Sequence, residues 1–415
     1  MIETDVAIIG GGPAGSATSL YLARKGIRSV IIEKDAFPRY HIGESLTGEV
    51  GQRIRDLGMG DYMTSSNQPK KFGVNVYGPA GQHTFRVPVM ERTDSSTLKP
   101  GQTWQVSRDG FDRQMLEQAR KNGARMVNGK ATGVLRNGNR LCGVRVATGE
   151  GNEQEVLSKV VVDASGQSTF LHSMGVTSRK HRGVYDKQVA VYSQLAGGLR
   201  NEGSEPDNTL ILYKQKNHWA WFIPLSPDTV SVGVVVPSSY YQAKGESLEE
   251  FYLREVREVN PELRRRLPVM DLQEKVRGSS NYSYAIDQYV GDGFLCVGDA
   301  HRFIDPVFSF GVHFAIHEAE LAADSINKHL QADNKSGICN FSEYQRICDL
   351  GMDTIQELID AFWNNPHAFA FAAHYKYSED IIDLFAGRIY EDNPSDGLLA
   401  LRKINEVCRA RQAAQ

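Results

Sequence analysis

The chain has 415 residues, which is enough for two interleaved domains and a smaller appendage. A hydrophobic fraction of 41% and a charged fraction of 23% exclude extensive disorder. The net charge of -3 provides no basic surface for nucleic acid, and the sequence has no apolar run long enough to span a membrane. The N-terminus begins as a strand and not as a secretory leader, so we expect a cytoplasmic protein.

Neither cysteines nor histidines form a metal-binding pattern. His313 and His317 are four residues apart on a predicted helix, but no third ligand is in register, so we expect no metal. The cysteines are scattered without a C-x-x-C pair, which predicts isolated reduced thiols at Cys142, Cys296, Cys339, Cys348 and Cys408.

The N-terminal segment has the pattern of a βαβ unit. The apolar run 4–9 predicts a strand, a glycine loop follows, and apolar residues at helical spacing then predict a helix that ends at Gly26. A second apolar run at 29–34 predicts the parallel strand that completes the unit.

After this unit the periodicity changes twice. The elements predicted in chain order are a helix near 46–65, strands at 70–77 and 83–91 joined at 78–81, an amphipathic helix over 107–123 with Ser107 as its N-cap, short strands as far as 160–166, strands from 183 to about 280 with one charged helix at 247–266, a strand at 294–300, and helices from 312 to the end. The long alternating stretch predicts a second, antiparallel sheet.

The glycine loop predicts a dinucleotide site. Residues 10–15 (GGGPAG) satisfy G-x-G-x-x-G between a predicted strand and a predicted helix, the context in which the motif is informative. Its glycines allow a tight turn and close approach of a pyrophosphate to the helix N-terminus. Glu33 ends the second strand, where an acidic residue hydrogen-bonds an adenosine ribose and disfavours the 2'-phosphate of NADP.

Two later segments favour FAD over NAD. Residues 163–166 (DASG) and 298–300 (GDA) each follow an apolar strand, as expected if separate parts of the chain return to one long cofactor. Asp299 is expected to hydrogen-bond the ribityl chain. The three segments in this order resemble the FAD monooxygenase superfamily, which includes aromatic hydroxylases, geranylgeranyl reductases and flavin-dependent halogenases. The resemblance covers residues 1 to about 330.

The resemblance implies an α/β fold, α+β overall, in which a Rossmann-like FAD-binding domain is interleaved with an antiparallel-sheet substrate domain and followed by C-terminal helices. The expected boundaries are 1–72, 101–182 and 281–330 for the FAD-binding domain, 73–100 and 183–280 for the substrate domain, and 331–415 for the C-terminal helical region.

Within the superfamily, three segments are similar to flavin-dependent halogenases. Residues 219–224 (WAWFIP) match the family's W-x-W-x-I-P signature, and alternation along a strand places Trp219 and Trp221 on one side, where they would separate substrate from flavin. Residues 69–73 (PKKFG) resemble the segment that carries the family's essential lysine, which implies that Lys71 directs halogenation.

The third segment, residues 303–313, resembles the family's F-I-D-P-V-F-S-S-G-V-H stretch and precedes a helix. Backbone N–H groups around Phe310 and Gly311 are therefore expected to hold chloride or bromide. This chain departs from the family by having Phe310 where serine or threonine is usual, which puts halide affinity in question. Residues 41–46 (HIGESL) resemble the flavin-lining G-E-S-L segment of halogenases, where reductases tend to have a cysteine.

The site residues expected from these motifs fall into three groups. The catalytic group is Lys71, Trp219 and Trp221, and the halide group is Phe310 and Gly311. The cofactor-binding group is Gly10, Gly12, Pro13, Ala14, Gly15, Glu33, Lys34, Arg39, Gly43, Glu44, Ser45, Arg108, Asp299, Pro306, Gly311 and Val312.

The resemblance implies a reaction and its partners. FADH2 and O2 would give a flavin hydroperoxide, halide would attack it, and the hypohalous acid would travel to Lys71 and halogenate an electron-rich aromatic. The substrate is expected to be a phenol or pyrrole, free or tethered to a carrier protein, and a separate NAD(P)H-dependent flavin reductase is expected to supply FADH2.

Two alternatives stay open from the sequence. One is an aromatic hydroxylase or geranylgeranyl-reductase-like oxidoreductase on the same fold, and the other is a flavin-binding protein without activity. The aromatic residues of the C-terminal helices either cover the substrate cavity, dock a carrier or fill a core: Phe362, Trp363, Phe369, Phe371 and Tyr375. Tyr282 and Tyr284 either line the cavity or pack.

Overall fold

The computed structural model describes residues 1–92, 97–183, 185–332 and 340–413. In chain order the strands are β1 (Ile2–Ile9), β2 (Ser29–Glu33), β3 (Lys70–Lys71), β4 (Gly73–Tyr77), β5 (His83–Pro88), β6 (Met90–Arg92), β7 (Leu98–Pro100), β8 (Thr103–Trp104), β9 (Arg125–Asn128), β10 (Lys130–Asn137), β11 (Arg140–Thr148), β12 (Asn152–Asp163), β13 (Lys180–His181), β14 (Gln188–Ala196), β15 (Thr209–Gln215), β16 (His218–Pro224), β17 (Thr229–Pro237), β18 (Asp271–Leu272), β19 (Arg277–Ser280), β20 (Tyr284–Ile286), β21 (Val290–Gly291), β22 (Phe294–Cys296) and β23 (Arg302–Phe303).

The helices are α1 (Pro13–Arg24), α2 (Val50–Ile54), α3 (Gly60–Ser65), α4 (Arg108–Lys121), α5 (Phe170–Ser173), α6 (Ser238–Lys244), α7 (Leu248–Glu258), α8 (Pro261–Arg266), α9 (Gly311–Gln331), α10 (Ser342–Asn364), α11 (Pro366–Phe371), α12 (Ser378–Phe385) and α13 (Asp396–Ala413). Segments Arg55–Met59 and Ala372–Lys376 are π-helical.

The first sheet contains the predicted βαβ unit. Its order is β10-β11-β12-β1-β2-β9, and β22 lies parallel to the C-terminal end of β12. Strands β12, β1, β2 and β9 are parallel, whereas β10, β11 and β12 form an antiparallel meander. The middle of β1 is fully buried because strands flank it on both sides and helices α1, α4 and α9 pack nearby.

The carboxyl ends of β1, β2, β12 and β22 meet at one edge of this sheet, the edge at which doubly wound sheets bind ligands. The glycine loop crosses this edge. Gly10 has a φ of +103°, and a Cβ added at Gly15 would lie 1.9 Å from the Gly10 carbonyl oxygen, so both positions require glycine.

The second sheet has the order β18-β14-β17-β16-β15-β4-β5, with β19 also paired to β14. It is antiparallel except for β4 and β15, which are parallel. Its central strands β14, β16 and β17 are buried on both faces: one face packs on α7 and α8, and the other on the segment 303–314 and the C-terminal helices. The fold class predicted from the sequence is confirmed.

Two local predictions were wrong in detail, and a third was confirmed in position only. The helix near 46–65 begins only at Val50, because Ser45 bridges Gln105 and keeps the preceding segment extended. The helix over 247–266 is two helices, because Pro261 starts a new one after an Asn260 cap. Ser107 is at the N-cap of α4, but its hydroxyl donates to Asp109 and not to a backbone N–H.

In the ranges that the structure describes, none of the helices is long and apolar enough to cross a membrane. Cys142, Cys296, Cys348 and Cys408 are free thiols, and Cys339 lies outside the described residues.

Candidate active site

One large cavity joins the carboxyl edge of the first sheet to the inner face of the second. Its volume is about 990 Å³, which lies at the upper end of the roughly 300–1,000 Å³ typical of small-molecule sites. Thirteen of the predicted cofactor residues line it: Gly10, Gly12, Pro13, Ala14, Glu33, Lys34, Arg39, Gly43, Glu44, Ser45, Arg108, Asp299 and Pro306. Gly311 and Val312 line it as well, whereas Gly15 lies behind the loop.

The glycine loop is held in shape by Glu33. One carboxylate oxygen of Glu33 accepts the Gly11 N–H at 2.7 Å, and the other accepts the Asp35 N–H at 2.8 Å. A Cβ added at Gly12 would meet only the Arg39 guanidinium, at 3.6 Å, so the loop backbone faces open space. These residues fit a dinucleotide, because a pyrophosphate can approach the start of α1 closely.

The Arg108 guanidinium is already engaged in hydrogen bonds within the protein. Its Nε donates to one Asp112 oxygen at 2.7 Å, and its Nη2 donates to the other at 3.1 Å. Its Nη1 donates to the carbonyls of Ile42 and Gly43. Arg108 therefore anchors the turn that carries the G-E-S-L segment. Burial by itself would lower the pKa of Arg108, but the negative charge of Asp112 outweighs that effect, so the pKa of Arg108 is raised.

Trp219 and Trp221 lie on the same face of β16, as strand alternation predicts, and both line the cavity. Their ring centroids are 5.9 Å apart, and their exposed fractions are 1% and 7%. The Trp221 indole N–H donates to the Ser231 hydroxyl at 3.2 Å, and that hydroxyl donates to Glu44 at 3.3 Å. The indole wall is thus tied to the segment 41–46.

Glu44 is a buried carboxyl group in this wall. Its Oε1 has no hydrogen-bond partner within the described part of the chain, and burial raises its pKa to about 7. Asp299, across the same cavity, also has its pKa raised to about 7 by burial. Burial therefore favours the neutral carboxyl form of both groups, which can donate a hydrogen bond to a polar ligand as well as accept one.

Lys71 is fully buried just outside the cavity lining. Its Nζ lies 2.8 Å from Ser45 Oγ and 2.7 Å from the Leu46 carbonyl oxygen. No carboxylate pairs with this amine among the described residues. Burial alone lowers the pKa of Lys71 to about 7, so much of the amine is unprotonated at neutral pH.

The start of α9 faces the cavity through its backbone. A Cβ added at Gly311 would meet no heavy atom within 4 Å, which leaves the helix N-terminus open to a ligand. The Phe310 side chain points away from the cavity and packs against His313, Phe314 and Phe385. The departure from the family's serine therefore adds a core contact and leaves the backbone donors in place.

The remaining residues considered in the sequence analysis lie in the cavity wall, in the core or on the surface. Tyr282 lines the cavity, whereas Tyr284 donates to the Asp299 carbonyl. Phe362, Trp363 and Phe369 are core residues, whereas Phe371 and Tyr375 are exposed and stack on each other. His313 and His317 stack 5.7 Å apart, and no metal-binding cluster of three side chains occurs in the described ranges.

Sequence reasoning missed Gln105, Thr209 and Ser231, whose hydrogen bonds join the second sheet to the segments that carry Ser45 and Glu44. They belong to no motif that the sequence analysis recognised, and their roles depend on contacts between segments far apart in the chain.

The fold and the cavity define a dinucleotide-binding flavoprotein. A family model described as "FAD binding domain" matches residues 3–346. A 1H-pyrrole-2-carbonyl-[peptidyl-carrier protein] brominase of Pseudoalteromonas luteoviolacea is 37% identical over 93% of this chain and 92% of its own length. A 1H-pyrrole-2-carbonyl-[peptidyl-carrier protein] chlorinase of Pseudomonas fluorescens is 30% identical over 97% and 93%.

Solved structures agree with these relatives. The flavin-dependent brominase Bmp2 is 36% identical, with a TM-score of 0.90 over 98% of this chain and 100% of that chain. The myxobacterial chondrochloren halogenase CndH is 27% identical, with a TM-score of 0.80 over 98% and 97%. The chain belongs to the flavin-dependent halogenases, enzymes that use FAD, halide and oxygen. The predicted family, activity class and cofactors are confirmed, and the hydroxylase and reductase alternatives are not favoured.

Proposed function

We propose that this halogenase acts on a pyrrole held as a pyrrole-2-carbonyl group on a carrier protein. The support is that two relatives named for that substrate align with more than nine tenths of this chain and of their own lengths. The cavity also has an apolar, aromatic lining beyond the glycine loop, which suits a flat electron-rich ring.

The single observation that carries the residue roles is the buried amine of Lys71, which is hydrogen-bonded to Ser45, a residue that lines the same cavity as the two indoles. Bound as FADH2, the cofactor supplies the oxygen chemistry that converts halide to hypohalous acid. Gly12 and the start of α1 hold its pyrophosphate, and the start of α9 holds the halide. Trp219 and Trp221 keep the aromatic substrate away from the flavin, so oxygen is not transferred to it directly.

Lys71 then receives the halogen and presents it to the pyrrole. A lysine buried without a carboxylate partner is destabilising, and such groups are concentrated at functional sites. We further propose that FADH2 comes from a separate NAD(P)H-dependent flavin reductase, since the recognised motifs provide one dinucleotide site.

The test is mass spectrometry of the protein incubated with FAD, a flavin reductase, NADH, bromide or chloride, and a carrier protein loaded with pyrrole-2-carbonyl. We expect a product with the halogen isotope pattern, which disappears in Lys71→Met. Lys70→Met is the matched control, because Lys70 is exposed on the same short strand and should leave the product unchanged.

An oxygenated product that forms without halide would contradict the proposed function. A halogenated free phenol with no product from the loaded carrier would contradict the proposed substrate alone.

A further inference from the structure

Segment 34–43 forms part of the boundary between the large cavity and solvent. It contains neither helix nor strand, and it connects Glu33, at the end of β2, with the G-E-S-L turn that carries Ser45. Four of its residues both line the cavity and are exposed to solvent: Lys34, Asp35, His41 and Gly43. The segment therefore lies between solvent and the part of the cavity in which FAD is expected to bind.

Both ends of segment 34–43 are fixed by hydrogen bonds. At its start, the Asp35 N–H donates to the Glu33 carboxylate at 2.8 Å. At its end, the Arg108 guanidinium donates to the Gly43 carbonyl oxygen at 3.2 Å. The middle of the segment has no regular secondary structure, so its position depends on the contacts of its side chains.

Tyr40 joins the middle of this segment to the second sheet. Its ring lies against the guanidinium of Arg277, whose Cζ is 3.7 Å from the ring centroid. Arg277 is on β19, directly opposite Tyr192 of β14, and both Tyr40 and Tyr192 line the cavity. A guanidinium stacked on an aromatic face at this distance is attracted to it. The contact therefore bridges segment 34–43 and the second sheet at the edge of the cavity.

The Arg277 guanidinium is oriented by the chain that precedes it. One of its nitrogens donates to the Glu274 carboxylate at 3.0 Å, and another donates to the Lys275 carbonyl oxygen at 3.2 Å. These bonds use N–H groups at the edge of the planar cation and leave its face free to lie on Tyr40. Ser279 follows two residues later on the same face of β19 and lines the cavity, so Arg277 also lies on the cavity face of its strand.

We propose that Arg277 and Tyr40 are positioning residues that latch segment 34–43 to the second sheet and limit the rate at which FAD enters and leaves the cavity. The latch joins two protein side chains and does not include the glycine loop, so releasing it should lower the barrier to passage in both directions. The association and dissociation rates of FAD should then change by the same factor, and the Kd should stay constant. A halogenase supplied with FADH2 by a separate reductase must exchange its flavin, so the latch would act on the proposed delivery step.

The experiment is stopped-flow fluorescence of FAD binding to the full chain, without halide or pyrrole. Association is followed when FAD-free protein is mixed with oxidised FAD, and dissociation when the FAD complex is diluted. In Arg277→Met we expect both rates to rise by about two- to five-fold, the factor that corresponds to one partly exposed cation–π contact. Tyr40→Leu should produce the same rise, and the double variant should add nothing further, because each single change removes the same contact.

Two control variants separate the latch from a general loosening of the protein. Tyr40→Phe keeps the aromatic face and should leave both rates unchanged. Arg265→Met is the matched control for Arg277→Met, because each arginine pairs with a glutamate three residues earlier in the chain. Arg265 is on α8, which packs on the opposite face of the second sheet, so its loss should leave both rates unchanged.

Unchanged rates in both Arg277→Met and Tyr40→Leu, or an equal rise in Arg265→Met, would overturn the proposal. Faster dissociation with unchanged association would also overturn it, because the pair would then bind FAD and not limit its passage. Slower association in Arg277→Met would overturn it by showing that the charge of Arg277 attracts the FAD phosphates. The measurement involves no halogenation, so its outcome is independent of the proposed substrate and of the role of Lys71.

Discussion

At the residue scale, burial acts in opposite directions on two neighbouring ionisable groups. It lowers the pKa of Lys71 to about 7 and raises that of Glu44 to about 7, because a low-dielectric interior penalises whichever form is charged. The site therefore places a base and an acid whose charged forms are both disfavoured near Ser45, Lys71 through a hydrogen bond and Glu44 as its neighbour in the chain.

The first prediction concerns the cost of Lys71 to stability. Lys71→Met should raise the free energy of unfolding at pH 7 by about 1–4 kcal/mol while abolishing halogenation, because it replaces a buried amine with an apolar chain of similar length. The folded pKa lies below the unfolded value of 10.5, so the unfolded state binds more protons between about pH 7 and 10.5. The native protein therefore gains stability as pH rises through this window. The difference in the free energy of unfolding between Lys71→Met and the native protein should shrink accordingly.

Urea unfolding of both proteins at pH 7 and pH 10 checks this prediction, with Lys70→Met as the exposed control. A difference between Lys71→Met and the native protein that does not change with pH would show that the amine is not neutral in the folded state.

Motifs in the sequence identify Lys71, Glu44 and the indoles, because chemistry requires those side chains. They do not identify Gln105, Thr209 or Ser231, whose side chains act only through neighbours that the fold supplies. Arg108 shows the limit of a motif: it lines the cavity as predicted, but its donors are taken by Asp112 and the backbone. The site roles stay predictions until the variants are measured.

At the element scale, the position of the indole wall depends on a pair of strands. Trp221 on β16 is directly opposite Gly233 on β17, and a Cβ added at Gly233 would lie 2.1 Å from the indole. The glycine is therefore required by the ring that lies over it and not by its own backbone conformation.

Gly233→Ala should push the Trp221 ring out of place and lower the free energy of unfolding by about 1–3 kcal/mol. Denaturant unfolding checks this, and Trp221 fluorescence should change with it. Gly278→Ala on β19 is the control, since its added Cβ comes closest to the flexible Leu248 side chain, at 3.2 Å, and lies 3.9 Å from the Ala190 carbonyl oxygen. Equal stability losses in the two variants would contradict the steric explanation.

The N-terminus of α9 leads to a second prediction at this scale. Phe310 is 2% exposed and packs on Phe314 and Phe385, so Phe310→Ser should cost about 3 kcal/mol or more by leaving a cavity. The KM for halide should stay unchanged, because the halide is expected to bind backbone N–H groups. Denaturant unfolding and halide titration of turnover measure both quantities.

Phe310→Leu is the control for Phe310→Ser, because it keeps most of the packing and should lose little stability. A large change in halide KM in either variant would show that the ring itself shapes the halide site.

The domain boundaries predicted from the sequence can be compared with the strand pairing. Strand β4 pairs with β15 and β5 pairs with β4, so residues 73–88 contribute to the second sheet, although residues of the first sheet both precede and follow them. Strands β3 and β8 pair with each other outside both sheets, and β3 carries Lys71. The boundaries themselves stay a prediction.

At the scale of the whole molecule, buried histidines link stability to pH. His313 has no hydrogen-bond partner for either ring nitrogen within the residues that the structure describes, and burial lowers its pKa to about 3. Burial also lowers the pKa of His317, which stacks on Tyr390. Both rings must stay neutral for the C-terminal helices to pack on α9.

The folded pKa of His313 lies below its ordinary value of 6.5, so the unfolded state binds the proton first as pH falls. Stability should therefore be complete above about pH 6.5 and fall below it, with His313 contributing up to about 1.4 kcal/mol per pH unit. In His313→Gln this slope should be reduced by that amount. Urea unfolding between pH 7 and pH 5 measures it.

His367→Gln, at an exposed position on α11, is the control for His313→Gln and should keep the native slope. An unchanged slope in His313→Gln would show that other groups govern the acid sensitivity of the protein.

Local sequence determined the elements and the chemistry of this protein. Hydrophobic periodicity, the glycine loop, the W-x-W-x-I-P segment and the lysine segment all depend on residues that are close together in the chain. Each of them can therefore be recognised from the sequence before the fold is known. The tertiary structure decided the surroundings of these side chains. It provides the burial that lowers the Lys71 pKa, the hydrogen bonds that join Gln105, Thr209 and Ser45, and the packing of Phe310 into a core. These depend on segments far apart in sequence meeting at one place, and neither the burial nor the contacts are encoded in any one of them.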